Sequence, residues 1–306
     1  MPFPCALVLY MNRVHDGSPF VTADGIAEVS RAAEASGFDA VAVTDHPCPT
    51  REWMDSGGHH ALDPWVGLSV AAATTKRLRL LTYIYVLPYR NPFLTAKSVA
   101  SLDVVSGGRV LFGVAVGYLE EEFRALGVPF DERNALADEA LRTIRAIWRG
   151  GVFDVAGQHF TARDHVVEPR PIQDPVPIWV GGNSRDAIRR AVTLGDGWMP
   201  IYNPPRYAAR RRTPPMQGPD DLRKRLAFAQ RVADEHGRTK PLEIVWTAMG
   251  LRDFGTAAFA RTKFLDDLAA LRAAGVTYFT INLPGRTPAE QADLAARFGQ
   301  DVIARL

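Results

Sequence analysis

The sequence predicts an α/β protein built as a closed (β/α)8 barrel, and three observations carry that reading. Short β-branched runs alternate with longer alanine-rich stretches of helical spacing along the chain. About eight such units fit into 306 residues, and a barrel commonly takes about 250 residues as one unit. The strands are apolar throughout, as parallel strands covered on both faces are. The competing architecture is an open doubly wound sheet. Against it, the first strand leads into the segment Met11 to Gly17, and no G-x-G-x-x-G follows.

The elements run in order. Cys5–Tyr10 reads as a buried strand. Thr22–Ser36 reads as a helix capped by Thr22 or Asp24 and stopped by Gly37, since glycine tolerates the left-handed conformation of many helix ends. Asp39–Thr44 is the second strand, Pro64–Thr75 a helix, and Leu78–Leu87 the third strand. Pro92–Ser106 is a helix with proline in its first turn, ended by Gly107 and Gly108. Arg109–Val116 is the fourth strand, and Tyr118–Leu126 and Leu136–Arg149 are helices. Pro177–Val180, Gly197–Ile201, Leu242–Ala248 and Val276–Leu283 are the remaining strands. Ser184–Leu194, Asp220–His236, Thr262–Ala274 and Pro288–Leu306 are the remaining helices.

Two stretches break the rhythm. Gly150–Asp174 holds two strand-like pieces around Gly157 and reads as a hairpin excursion. Asn203–Pro219 is rich in proline and arginine and reads as a mobile loop. Its Arg210, Arg211 and Arg212 could meet an anion, but a solvated charge cluster is the plainer expectation.

Composition narrows the function. Apolar residues make up 47% and charged residues 23%, with a net charge of +2 and mixed signs along the chain. Neither nucleic acid nor a membrane surface is indicated. Two cysteines, Cys5 and Cys48, make neither a disulfide framework nor a zinc spacing. The N-terminal apolar stretch lacks the features of a signal peptide, and no apolar run reaches membrane-spanning length. The expectation is one soluble cytoplasmic domain over residues 1–306.

Barrel enzymes keep their chemistry at the C-terminal ends of the strands. After the second strand stand Thr44, Asp45 and His46, and an imidazole there can exchange a proton. The third strand ends among interleaved aromatic and aliphatic residues, Thr82, Tyr83, Ile84 and Tyr85, which suits a flat ring or a packed core alike. The fourth runs through Gly113 and Gly117 to Tyr118, and glycines let a ligand approach the backbone closely. Glu120, Glu121 and Glu122 then open a helix, where negative charge is favourable, and read as structural. Gly181, Gly182 and Asn183 precede a helix N-terminus and offer a phosphate site. No metal constellation emerges, because His59 and His60 are adjacent and point apart.

Taken together, GFDAVAVTDH, the run from Leu87 to Gly150 beginning LPYRNPFLTAKSVASLDVVSGGRVLFGVAVGY, and PVPIWVGGNSRDAIRRAVTLGDGWMP resemble the luciferase-like monooxygenase superfamily. The branch most similar uses the deazaflavin coenzyme F-420. The resemblance covers about residues 20–200 and, more loosely, the last two strand–helix units. It implies a barrel with an insertion after the fourth strand, and a non-proline cis peptide in a bulged third strand at Tyr83–Ile84. It places the coenzyme ring against Thr82, Tyr83 and Ile84, and its phosphate against Gly117, Tyr118, Gly181, Gly182 and Asn183. It gives His46 a catalytic role and implies a homodimer formed by helices near the second to fourth strands. Sugar-phosphate dehydrogenases of this branch carry tryptophan where this chain has Thr50 and a catalytic glutamate where it has Tyr118, so a sugar phosphate is not the expected substrate. The candidate substitutes are Trp53, in part, for the tryptophan and Tyr118 for the proton donor. The reading is an F-420-dependent oxidoreductase acting on a small organic substrate. The alternatives are a two-component FMN monooxygenase and a non-catalytic ligand-binding barrel.

Overall fold

The computed structural model describes residues 4–15 and 17–305. Met1 to Phe3, Asp16 and Leu306 lie outside the described residues. With them go the first residues of the N-terminal apolar stretch, one position of the Met11–Gly17 segment and the expected last residue of the final helix.

The chain begins with strand β1 (Cys5–Val8), helix α1 (Ala23–Ala35) and strand β2 (Ala40–Val43). Two helices follow, α2 (Arg51–Asp55) and α3 (Pro64–Thr74). The third strand comes in two pieces, β3 (Arg79–Thr82) and β4 (Tyr85–Val86), before α4 (Pro92–Ser106) and β5 (Val110–Ala115). Next are α5 (Glu120–Ala125), α6 (Arg133–Trp148) and the pair β6 (Phe153–Ala156) and β7 (Thr161–His165). The second half holds β8 (Ile178–Gly181), α7 (Arg185–Leu194), β9 (Gly197–Met199), α8 (Pro205–Ala208) and α9 (Pro219–Glu235). It closes with β10 (Glu243–Thr247), α10 (Arg261–Ala273), β11 (Tyr278–Ile281) and α11 (Pro288–Asp301).

The sheet order is β3-β2-β1-β11-β10-β9-β8-β5-β4, and β3 also pairs with β5. Every pairing in it is parallel, so the sheet closes into the expected (β/α)8 barrel. The expected insertion is the antiparallel β6–β7 hairpin, which lies between α6 and β8. Glu139 of α6 holds its tip, accepting the backbone N–H groups of His159 and Phe160.

The strand sequences read as continuous apolar runs because their two faces enter two different cores. Cys5, Leu7, Val41, Val43 and Leu80 pack outward under the helices. Ala6, Ala40, Ala42, Leu81 and Leu111 point inward, with Trp179, Met199, Val245 and Tyr278. The small alanines of β1 and β2 leave room for the large rings across the barrel, where Trp179 and Tyr278 meet edge to face at 5.0 Å.

The third strand departs from the continuous run that its sequence suggests. Leu80 pairs with Val110 and Leu81 with Leu111, but Tyr85 pairs with Val114. One extra residue is therefore held in the third strand, which is a β-bulge. The Tyr83–Ile84 peptide inside it is cis, at the expected bond. Gly113 makes the bulge possible: a Cβ there would stand 2.1 Å from the Thr82 carbonyl oxygen. Its role is thus to admit a neighbouring strand rather than a ligand. The Thr82 hydroxyl donates to the Gly113 carbonyl at 2.8 Å and completes the join.

Helix ends follow the sequence closely. Thr22, Asp63, Asn91, Ser184 and Thr287 accept first-turn N–H groups as caps. Gly107 ends α4 with φ of 72°. Helices α2 and α8 were not legible in the sequence; both are under two turns long. Among the described residues no helix is long and apolar enough to cross a membrane.

Replacing Gly113 by alanine is expected to cost about 1–3 kcal/mol through overpacking. A denaturant titration measures it as a lower midpoint with an unchanged slope. An unshifted midpoint would show that β3 and β5 have room to spare.

Candidate active site

The C-terminal ends of the strands surround a cavity of about 340 Å³. Tyr83 and Ile84 of the bulge line it together with Met199 and Gly181. Thr44, Asp45 and His46 come from the end of β2, and Ala115 to Tyr118 from the end of β5. Gly182, Ser184 and Ala187 bring in the start of α7, while Arg211, Arg212 and Thr213 bring in the segment after α8.

Most of the residues singled out in the sequence converge there. His46, Tyr83, Ile84, Gly117, Tyr118, Gly181 and Gly182 all line the cavity. Thr82 and Asn183 do not. Thr82 is fully buried, with its hydroxyl given to Gly113. Asn183 is fully buried as well: its amide donates to the carbonyls of Ile201 and Pro214 and accepts the Ile201 N–H. Its own N–H goes to the Thr213 hydroxyl. Asn183 therefore joins the ends of β8 and β9 to the segment above them and has nothing left for a ligand. The Gly182 N–H is likewise taken, by the Met199 carbonyl. The Ala187 N–H is given to the Ser184 cap, so the anion donors left at the start of α7 are the N–H groups of Arg185 and Asp186, where the helix dipole also favours negative charge.

The second strand delivers two groups with separate tasks. Asp45 accepts both guanidinium nitrogens of Arg90, at 2.7 and 3.0 Å, and the Val86 N–H at 3.0 Å. It holds the upper half of the broken strand in place. His46 turns its Nδ1 to the Glu122 carboxylate at 3.2 Å. That partner accepts, so Nδ1 carries the hydrogen and Nε2 of the neutral ring is an acceptor.

Glu122 was read from sequence as a helix-start charge, and the structure gives it more to do. It is fully buried, and besides His46 it accepts the Tyr89 hydroxyl at 2.8 Å and the Cys48 N–H at 3.2 Å. Burial, reinforced by this carboxylate, raises the Tyr89 pKa far above the usual phenol value, so Tyr89 stays a donor. A buried carboxylate thus stands behind His46.

Tyr118 stands 6.2 Å from His46, ring centre to ring centre. Burial raises its pKa, opposed by Arg211. The phenol is then protonated at every pH below the ordinary tyrosine value and can donate. Beneath the bulge the Tyr83 hydroxyl bonds to Thr247, which Thr280 also reaches at 3.0 Å. Trp53 does contact His46, with ring centres 4.6 Å apart. Thr50, at the family tryptophan position, instead caps α2 through the Trp53 N–H.

The arginine-rich segment is pinned rather than loose. Asn203 and Met216 pair as an antiparallel bridge, and both are fully buried. Arg212 bonds Glu120 at 2.9 Å, Arg210 reaches the Ser56 carbonyl at 2.8 Å, and Arg211 the Tyr202 carbonyl at 3.0 Å. This strap roofs the cavity and places two arginines at its rim.

The family model for luciferase-like monooxygenases matches residues 6–245. The chain belongs to this family. It is an enzyme of a group that includes oxidoreductases and monooxygenases. An uncharacterised protein of Mycobacterium tuberculosis is 31% identical over 230 residues, covering 71% of this chain and 74% of that protein. An F-420-dependent glucose-6-phosphate dehydrogenase of Beutenbergia cavernae is 38% identical over 172 residues, covering 55% and 49%. An FMNH(2)-dependent dimethylsulfone monooxygenase of Pseudomonas putida is 35% identical over 128 residues, covering 40% and 35%. Among solved structures, an F-420-dependent secondary alcohol dehydrogenase with an F-420–acetone adduct superposes with a TM-score of 0.75 at 17% identity, covering 99% of this chain and 98% of that one. A type II Baeyer-Villiger monooxygenase of Pseudomonas putida in complex with FMN gives 0.73 at 16%, covering 100% and 99%. These two share the fold.

Replacing Glu122 by alanine strands the buried His46 and Tyr89 donors, each worth about 1–3 kcal/mol when unpaired, together with the half-buried Cys48 N–H. A loss on the order of 3 kcal/mol is expected in chemical denaturation, and Glu122→Gln should recover part of it. Wild-type stability in the alanine variant would mean that other groups already satisfy those donors.

Proposed function

We propose that this protein is a coenzyme F-420-dependent oxidoreductase acting on a small organic substrate. The observation that carries the reading is His46, held by Glu122, beside a cavity lined by the third-strand bulge. Oxidation of an alcohol removes a hydride from carbon and leaves a proton on oxygen, so the site needs an oriented base as well as a hydride acceptor. When bound, the deazaflavin supplies the hydride acceptor or donor at its C5.

The residues present fit such a group. Tyr83, Ile84 and Met199 offer an apolar surface for a flat ring. A Cβ at Gly181 would stand 2.4 Å from Ile84 Cδ1 and push that side chain into the cavity, so the glycine keeps the ring space open. The start of α7, with Arg211 and Arg212, suits the phosphate. In the oxidative direction His46 takes the substrate proton at Nε2 and in the reductive direction it returns that proton, while the Tyr118 hydroxyl donates a hydrogen bond to the substrate oxygen in both. The strap and bulge exclude water.

The FMN monooxygenase reading stays in view because the FMNH(2)-dependent relative matches part of the same region. The stretch matching the F-420-dependent relative is longer and more identical, which favours the deazaflavin. The reading includes a homodimer, supported by Val66, Leu94 and Val105, which are 61%, 68% and 75% exposed on α3 and α4. It also includes a cytoplasmic location, supported by the unbridged cysteines Cys5 and Cys48.

Intrinsic tryptophan fluorescence should report tighter binding of oxidised F-420 than of FMN. Preference for FMN, with product formation that requires oxygen, would move the protein to the monooxygenase reading. His46→Ala should lower turnover by about 10²–10⁴-fold with the fold intact by circular dichroism. Full activity in that variant would remove His46 from the mechanism.

A further inference from the structure

Residues 51–60, between β2 and α3, bring a second imidazole to the cavity. His59 lines it, with its ring centre 4.9 Å from that of His46 and its plane edge-on at 82°. Its Nδ1 lies 3.1 Å from the His60 carbonyl oxygen. A carbonyl only accepts, so Nδ1 holds the hydrogen and Nε2 of the neutral ring keeps its lone pair.

The position is built rather than incidental. Trp53 backs both imidazoles, 4.6 Å from His46 and 5.4 Å from His59. Gly58 is where the indole needs space, since a Cβ there would stand 2.1 Å from the Trp53 ring. The strap is tied to the same stretch through Arg210 and the Ser56 carbonyl. Burial lowers the His59 pKa, with His46 and His60 acting in the same direction and the His60 carbonyl and Glu122 opposing them. A lowered pKa means that the charged ring forms only at more acidic pH, so His59 is a neutral acceptor near neutrality.

We propose that His59 is a substrate-binding residue whose Nε2 accepts a hydrogen bond from a substrate hydroxyl that does not itself react. His46 serves the reacting oxygen and His59 its neighbour. The substrate class is then a compound with oxygen functions on adjacent carbons, such as a 1,2-diol or its hydroxyketone. The assignment of the reacting oxygen rests on the F-420 reading; the acceptor role of His59 does not.

The test is a long-range proton–nitrogen NMR spectrum of protein labelled at histidine nitrogen, recorded near pH 7 with and without F-420. Glycerol is the hydroxyl-rich probe and propan-2-ol the control. His59 is expected as a neutral ring with hydrogen on Nδ1. Its Nε2 resonance should respond to glycerol at about fivefold lower concentration than to propan-2-ol, the gain of one hydrogen bond. His59→Phe keeps a ring against Trp53 and assigns the signal by its loss; if that variant does not fold, contacts to the Trp53 ring protons that persist in His46→Ala assign it. A protonated ring at that pH, hydrogen on Nε2, or equal response to both probes overturns the proposal. The expected response in a protein that binds no F-420 would instead overturn the coenzyme reading and leave His59 in place.

Discussion

The extra residue in the third barrel strand sets the geometry on which the rest of this site depends. Below it, β3 pairs with β5 through Leu80 and Leu81 and closes the barrel; above it, β4 pairs with the same strand one residue out of step. The slip turns Tyr83 and Ile84 toward the mouth, where a regular strand would alternate them in and out. It is tolerated only because β5 has glycine at 113 and because Thr82 spends its hydroxyl on the same junction. The upper half is then fixed from the second strand by Asp45, which bonds both the Val86 N–H and Arg90. Closing the barrel and forming the ring surface are thus one structural event.

A second constraint is polar. Glu122 puts a carboxylate in a fully buried position, which is costly unless its oxygens are well supplied with donors. Three elements supply them: the end of β2 through His46, residue 48 through its backbone, and the turn after β4 through Tyr89. The same contacts that satisfy Glu122 orient the imidazole, so the histidine cannot turn without leaving a buried acceptor short of a partner. Two poorly regular stretches, the strap before α9 and residues 51–60, then complete the chamber. They are held by buried Asn203 and Met216, by the Asn183 amide and by Arg210.

The sequence by itself determined the architecture. Periodicity marks the barrel strands and the longer helices, glycine and proline mark their ends, and the alternation leaves a parallel barrel as its consequence. Capping residues such as Thr22, Asn91 and Ser184 act over three residues or fewer, so their function is visible locally. The ends of the strands were legible too, and with them His46, Tyr118, Gly117 and the Gly181–Gly182 turn, because a barrel gathers all its strand ends at one mouth.

Only the tertiary structure decided which of those residues face the cavity and what stands behind them. Thr82 and Asn183 sit within one residue of cavity-lining positions, yet their side chains are consumed by Gly113, Ile201 and Pro214, partners distant in sequence that no local pattern announces. Glu122 lies 76 residues from His46 in the chain, and the bond between them exists only because the closed barrel gathers the ends of β2 and β5 at one mouth. His59 reads in the sequence only as one of two adjacent histidines that make no metal site, until Trp53, Gly58 and the strap fix its ring. Local physics selects elements from short-range spacing. Which side chain of an element meets which partner depends on register and closure, and those are properties of the assembled barrel.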